Sequence, residues 1–505
     1  MRPIFPRPIL PMAFVLCLVL HLDAAAGWAG TLYTVDRLDD VSFADACLAA
    51  APADCSLRGA IRRANIDGLP NNVILLPAGR YDLTLEGGGE DAATTGDLDI
   101  TSGDVTLQAA PGAHPEIRQL TGDRVFHVHP SAGAVRFEGP LTLQGGEAFN
   151  PGGSERGGSI YFFRADSLVL TDVHMRNAFA ADSGGCLDWS TSSVQPGFLT
   201  MTDVTFTGCG TEDMGGAFTI QSGDSTVQLD RVTVRGNTSA EIGAGGTIFG
   251  GSATVVIQRS AFLDNVAASS FTNSTFGGGL FLGSGSFSIH ESVLARNAAG
   301  KAGDQIAGGG GIFIQNSLLL LRNSTLSANR TLGQIARGSD LDSQGSTIGF
   351  EFSTLAAAPA EASRSVSLGV NTTLDVFASV VRGACIGGGT IDSEGLNVEV
   401  VPPGASTTLC QLDHPGDARV STPLLLPLAG YGGPTPTHGV LAAAQGTTLR
   451  VPSPDCADAD QRGAERLGLF CHSGAHEAGV PAPGPWIFAD DFESGELGSW
   501  SSATP

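Results

Sequence analysis

The sequence predicts an all-β chain wound into a right-handed parallel β-helix, with a short N-terminal helical cap and a disulfide-containing C-terminal module. Three observations predict it. Six stretches between about Ser167 and Asn329 can be laid over one another: SLVLTDVHMRN, FLTMTDVTFTGC, TVQLDRVTVRGN, TVVIQRSAFLDN, SFSIHESVLARN and LLLLRNSTLSAN. With Leu170, Met201, Leu229, Ile257, Ile289 and Leu321 as register marks, the steps are 31, 28, 28, 32 and 32 residues, which is a repeat architecture. A glycine pair followed by apolar residues recurs with them: Gly184-Gly185, Gly215-Gly216, Gly245-Gly246, Gly278-Gly279 and Gly310-Gly311. Finally, apolar and polar residues alternate within each stretch, as in Val227-Gln228-Leu229, between clusters of Gly, Asn, Asp and Ser. That is the pattern of strands joined by turns. Units this short cannot bury an apolar face alone, so they must stack strand on strand, each coil adding roughly 4.8 Å. The handedness of parallel crossovers makes the winding right-handed.

Asn237, Asn265, Asn297 and Asn329 each lie eight residues after a register mark. A tight turn there needs a residue that tolerates positive φ, and stacked amides can form a hydrogen-bonded ladder. The motifs Gly215-Gly216-Ala217-Phe218 and Phe262-Leu263-Asp264-Asn265 resemble the GGA[ILV] and FxxN repeats of polymorphic outer-membrane proteins. That resemblance implies the fold rather than an activity.

Composition narrows the class. With 69 glycines and a formal charge of −24, from 27 basic and 51 acidic residues, the chain suits a turn-rich solenoid. It has no basic patch for nucleic acid. Residues 1–29 read as an export signal, with Arg2 and Arg7 before an apolar run from Ile9 to Leu20 that is too short for a lasting membrane anchor. Eight cysteines then remain, in local couples: Cys47/Cys55, Cys186/Cys209, Cys385/Cys410 and Cys456/Cys471. Such couples suit disulfides in an oxidising compartment. The Cys186/Cys209 couple is unusual, because its members fall at different turn positions of the repeat.

Residues 30–71 open with an alternating strand and continue as CSLRGAIRRANIDG, in which Leu57, Ala60, Ile61 and Ala64 share a helical face and Arg58, Arg62 and Arg63 the other. A helix here would cover the first coil, whose open strand edges invite aggregation. The run Cys55-Ser56-Leu57-Arg58, Ala60-Ile61 and Ala64-Asn65 is similar to the CSLREA domain of secreted bacterial β-helix proteins. Gly59 stands where that family has glutamate, a change expected to remove an ion pair and loosen the helix. Residues 72–401 are expected to form the β-helix. In its first coils Glu90, Asp91, Asp97 and Asp99 are candidate calcium ligands, calcium being the only cofactor in view. His127 and His129 share a strand face at a spacing that suits a metal, with no third ligand evident nearby.

Residues 402–479 form the C-terminal module, whose first part, Pro402 to His438, is expected to leave the solenoid. Gly432-Gly433-Pro434-Thr435-Pro436-Thr437-His438, Asp460-Gln461-Arg462-Gly463 and Gly474-Ala475-His476-Glu477 look like the choice-of-anchor Q domain of similar proteins. Arg462 reads as the residue that fixes a turn inside the Cys456/Cys471 loop. Residues 480–505 are a proline-rich linker and a tail resembling the FADGFESG-type end of some secreted proteins, without an apolar run.

Two functions are open. The favoured one is a secreted or cell-surface β-helix with a structural, adhesive or carbohydrate-binding role, its partner a polysaccharide or a surface protein. The alternative is a polysaccharide lyase or glycoside hydrolase of the pectate-lyase-like type, which shares this fold. For it the candidate catalytic residues are Asp172, Asp203, Asp230, Arg231 and Arg259, expected at one turn position of successive coils. The polygalacturonase series NTD, DD, GHG and RIK is absent from the repeats. The five residues read first as turn residues.

Overall fold

A computed structural model describes residues 30–48, 54–149, 154–191, 197–268, 274–401, 409–421, 424–441 and 450–482. The expected export signal and the tail lie outside them. The chain is a parallel β-solenoid of three faces. On the first and second faces, strands from Leu32–Thr34 to Ala418–Val420 join into one continuous parallel sheet. The third face is a sheet of eleven parallel strands, from Leu98–Ile100 to Cys385–Gly387. Leu170, Met201, Leu229, Ile257, Ile289 and Leu321 stack directly on one another, and all are fully buried. Alternation put these side chains inward, and the stack turns that local pattern into the core.

The corner between the first two faces is one residue in left-handed conformation: Asp172, Asp203, Arg231, Arg259, Glu291, Asn323, Phe352 and Ala378, with φ between 46° and 56°. Beneath it runs an inward ladder. The backbone N–H of Ser260 donates to Ser292 Oγ at 3.1 Å, Ser292 to Ser324 Oγ at 3.1 Å and Ser353 to Ser379 Oγ at 3.1 Å.

The asparagines form a second ladder: Nδ2 of Asn237 donates to Asn265 Oδ1 at 3.0 Å, Asn265 to Asn297 at 2.9 Å and Asn297 to Asn329 at 3.1 Å. They do not take positive φ. That conformation falls on the preceding residue, Gly236, Asp264, Arg296 or Ala328. The asparagine itself turns inward, fully buried, where its amide replaces the strand bonds that the turn breaks. The glycine pairs lie where a β-carbon would meet the neighbouring coil, at 2.1–2.4 Å from backbone oxygens for Gly185, Gly216 and Gly245, and the left-handed column beside them is Gly184, Gly215, Gly243, Gly277, Gly309 and Gly338. The first two pairs contain the left-handed residue, and the later ones follow it by one or two positions.

All four cysteine couples are joined: Cys47–Cys55, Cys186–Cys209, Cys385–Cys410 and Cys456–Cys471. The asparagine ladder explains the unusual second one. A β-carbon on Gly245, Gly279 or Gly311 would lie 3.0–3.2 Å from the amide nitrogen of Asn265, Asn297 or Asn329. Cys186 and Cys209 occupy that same pair of facing positions, one strand being in register with the next, so the disulfide is the first rung of the ladder. The last rung is Asp340, whose Oδ1 accepts from Asn329 Nδ2 at 2.9 Å.

The other two disulfides correct the expected boundary at residue 402. Cys410 falls in the stretch expected to leave the solenoid, yet it is buried in the main core beside Leu412. Its bond to Cys385, on the last strand of the third face, closes that end of the coil. Cys471 does not merely close a loop within a separate module. It is buried with Val451 and Ala457 against Phe352 and Ala378, two residues of the solenoid corner. The physical reason is the same for both: the last coils leave apolar surface that only the following chain can cover.

The N-terminal end begins earlier than expected, because Leu32–Thr34 already pairs with Asn72–Leu76. Helix Leu57–Asp67 is capped by Ser56, whose Oγ accepts from Gly59 N–H, and ends at left-handed Gly68. Arg58 is not on a solvent face. It is buried and engages all five N–H donors, two on Asp40 and three on the carbonyls of Thr95, Gly96 and Asp97. Gly59 is a packing requirement, since a β-carbon there would lie 2.0 Å from Ala44 O. At the other end the chain stays with the solenoid: Leu425–Ala429 and Thr437–Val440 form a hairpin, and His438 Nε2 bonds Ser327 Oγ at 2.8 Å.

Candidate functional site

The five residues expected at one turn position separate into two sets. Asp172, Asp203, Arg231 and Arg259 sit in the corner column, whereas Asp230 ends the strand before it. Arg231 grips Asp203 through Nε and Nη2 at 2.6 and 2.8 Å and reaches Asp230 at 2.6 Å, while Arg259 grips Asp230 at 2.8 and 2.7 Å. Asp172 stands beside His174 at 3.8 Å. The carboxylates and guanidinium groups thus neutralise one another from coil to coil on an outer corner.

The four proposed calcium ligands also part. Glu90 folds back onto its own loop, accepting from the N–H groups of Ala92, Thr94 and Thr95. Asp97 turns to Arg124 Nη1 at 3.2 Å. Burial pushes its carboxyl well above the usual range, helped by the charges of Asp99 and Asp123 and opposed by Arg124. Asp91 and Asp99 instead meet the two histidines. Asp99 Oδ1 lies 2.7 Å from His129 Nε2 and 3.6 Å from His127 Nδ1, and Asp91 Oδ1 lies 4.0 Å from His129 Nε2. One ligand atom from each of the four lies within 4.8 Å of all the others. The third face makes this meeting, because Leu98–Ile100 pairs with Phe126–Val128 and sets Asp99 directly against His127.

The cluster is held from both sides. Asn65 of the cap helix donates to Asp99 O at 2.7 Å and accepts from Thr101 N–H at 3.0 Å. Asp99 Oδ2 accepts from Ala93 N–H at 2.9 Å. The His127 ring lies 3.7 Å from that of His129 and stacks on Tyr161 at 5.1 Å. Burial raises the Asp99 carboxyl, but the two imidazoles and the Ala93 N–H outweigh it and hold the group below its ordinary range. Burial pushes His127 down, with Asp99 opposing.

No family model matches the chain, and no curated protein matches it. Among solved structures it is similar to the crystal structure of the pectate lyase Pel9A, with a TM-score of 0.41 and 12% identity over 89% of this chain and 97% of that one. A likeness this distant carries nothing about chemistry.

The three faces differ in what they offer a partner. Outward positions of the third face are covered by the turn segments before each strand, so Asp188, Thr219 and Thr247 are fully buried. Burial raises the Asp188 carboxyl to about 7, although Ser183 Oγ donates to it at 2.5 Å. On the second face Val293, Ala295, Thr325, Ser327, Thr354 and Ala356 are buried, and the C-terminal module lies there: Ala475 N–H donates to Thr354 Oγ1, and Thr325 Oγ1 donates to Gln461 at 2.6 Å. Arg462 and Glu477 belong to that module's own scaffold. Arg462 grips Asp460 at 2.9 and 2.7 Å, and Glu477 takes Arg466 and His472. Among the described residues the first face has neither cover. Its outward row Thr106, Arg136, Val169, Thr200, Gln228, Val256, Ser288 and Leu320 runs in register from coil to coil, each side chain exposed or half-buried.

Proposed function

We propose that this chain is an exported, surface-acting β-solenoid with an adhesive or carbohydrate-binding role, which engages an extended polymer along its first face. The observation that carries the reading is the uncovered row from Thr106 to Leu320. Eight stacked side chains at about 4.8 Å spacing make a straight strip of roughly 34 Å. Its hydroxyl, amide and aliphatic groups offer repeated hydrogen bonds and apolar contact, which suits a repeating ligand better than a compact one. Four disulfides agree with an oxidising compartment outside the cytoplasm. The resemblances to the CSLREA and choice-of-anchor Q domains point the same way, towards exported solenoids.

The mutual neutralisation of Asp203, Arg231, Asp230 and Arg259 weighs against the lyase or hydrolase reading, since a base or acid for a sugar must be free to exchange a proton. The test is a screen of the mature chain against acidic and neutral polysaccharides, with calcium and with chelator, following retention and reducing-end or unsaturated products together. Retention without products, abolished by Gln228→Arg and Val256→Asp, is the expected result. Products that disappear in Asp203→Asn or Arg231→Ala would replace the proposal with the enzyme.

A further inference from the structure

We propose that Asp99, His127 and His129, with Asp91 as fourth ligand, form a binding site for a divalent cation of zinc type. Two imidazole nitrogens and two carboxylate oxygens are the donor set of a borderline cation such as Zn2+, whereas calcium takes six or more oxygens. Metal–ligand bonds of about 2.0–2.2 Å make the edge of a tetrahedron roughly 3.3–3.6 Å. The separations of 3.6 Å between Asp99 and His127 and 4.0 Å between Asp91 and His129 are close to that edge. The 2.7 Å contact of His129 with Asp99 is a hydrogen bond that a cation would open by less than an ångström.

An ordinary histidine–aspartate pair accounts for less of this geometry. Both imidazoles turn a nitrogen towards the same atom, Asp99 Oδ1, from rings only 3.7 Å apart, yet just one of them is within hydrogen-bond distance. A cation in front of Oδ1 serves both. The surroundings are those of a prepared site: Ala93 N–H occupies Oδ2, Asn65 fixes the Asp99 backbone, and Tyr161 backs the His127 ring. Such outer contacts orient metal ligands and fix which oxygen is offered. Asp99 is buried, while the Asp91 side chain is 74% exposed, so an ion can enter from the Asp91 side.

The ligands come from separate parts of the chain: the loop before the third face, its first strand, and the end of its second. A bound ion would therefore fasten the loop that carries Asp91 to the first strands of the third face, independently of whether the first face binds a polymer. The test uses the mature chain without a polyhistidine tag, stripped with chelator and titrated with Zn2+, Co2+ and Ca2+ by calorimetry and visible absorption. One Zn2+ per chain, a melting temperature that rises with Zn2+ and falls back with chelator, and the intense visible bands of tetrahedral Co2+ are expected, with no competition from Ca2+. His127→Gln and His129→Gln should weaken Zn2+ binding by at least about tenfold, and Asp172→Asn should leave it unchanged. Asp91→Asn alters an exposed side chain that the fold does not need, so its Co2+ spectrum must change even where a histidine variant misfolds. Absence of Zn2+ uptake, uptake unaffected in both histidine variants, or an Asp91→Asn spectrum identical to the parent would overturn the site.

Discussion

Between Cys209 and Asn329 the solenoid is held by repetition, each amide bonding its copy in the next coil. Its two ends are held by buried arginines whose surroundings do not repeat. Arg58 gives five hydrogen bonds at the N-terminal end; in the C-terminal module Arg462 gives five, and Arg466 gives five, to Ala459 O, His472 O, Glu477, Gly474 O and Asn323 of the solenoid corner. The contrast follows from geometry. An interior coil has identical neighbours above and below, so one short side chain solves the same problem repeatedly. An end has a neighbour on one side only, and irregular loops with many free carbonyls must be gathered by a long, multiply donating side chain.

The sharpest way to break this contrast is at an end. Arg58→Ala leaves Asp40 buried without its partner and three carbonyls unbonded, at a cost of about 3–5 kcal/mol. Urea unfolding gives the loss, and limited proteolysis should show residues 54–97 becoming the first to be cut. In the middle, Asn265→Ala removes bonds to Val234 O, Asn297 Oδ1 and the Asn237 N–H and amide. About 2–4 kcal/mol is expected, read as a lower urea midpoint with an unchanged slope.

Acidity should separate the regions too. Burial raises Asp188 to about 7 in the folded chain, against about 3.9 when unfolded. Its contribution to stability is complete below about pH 4 and is lost as pH rises through about 7, a swing of up to roughly 4 kcal/mol. Asp188→Asn should flatten that slope. Burial lowers His476 to about 4, the nearby Arg462 assisting, and lowers His438 as well. The contribution of His476 is present above about pH 6.5 and fades as pH falls towards about 4, and that of His438 fades in the same direction. Hydrogen exchange across residues 424–482 should therefore quicken on acidification while the middle coils stay protected.

Smaller effects sharpen the comparison. Cys186→Gly with Cys209→Asn writes one more rung of the ladder in place of the disulfide. Its stability should fall within about 1 kcal/mol of the oxidised parent and ignore reductant, whereas Cys209→Ala alone should lose about 2–3 kcal/mol. Asp203→Asn, on the exposed corner, should cost less than about 1 kcal/mol and leave polysaccharide retention unchanged.

The same division decides what was legible in the sequence. Register, alternation and the turn asparagines were readable between Ser167 and Asn329, because a repeat shows each constraint several times. The left-handed residue was misplaced by one position, since inward Asn265 and outward Asp264 are both turn formers. The histidine cluster was half seen. Asp99 and His127 lie one coil apart, and the overlay of LDI (98–100) on FHV (126–128) joins them once the irregular first coils are aligned. Helical periodicity sets Arg58 on the face opposite Leu57 and Ile61, and nothing local announces the loop carbonyls that it gathers from 37 to 39 residues away. Pairing of Cys410 and Cys471 with their near neighbours was legible from spacing, but their burial against the solenoid was not, since it depends on surface the last coils leave open. The return of the C-terminal module to the second face was equally invisible, for its contacts to Thr325, Ser327 and Thr354 span more than 110 residues.

The corner column from Asp172 to Ala378 holds aspartate, arginine, glutamate, asparagine, phenylalanine and alanine in one backbone conformation. No β-branched residue is among them, as the left-handed region requires. The serine or valine beneath fixes the fold, so from Asp172 to Arg259, before the C-terminal module covers Asn323, Phe352 and Ala378, the corner residue above it is free to change. That stretch is a blank margin, on which charge and shape can be rewritten one coil at a time while the text beneath stays the same.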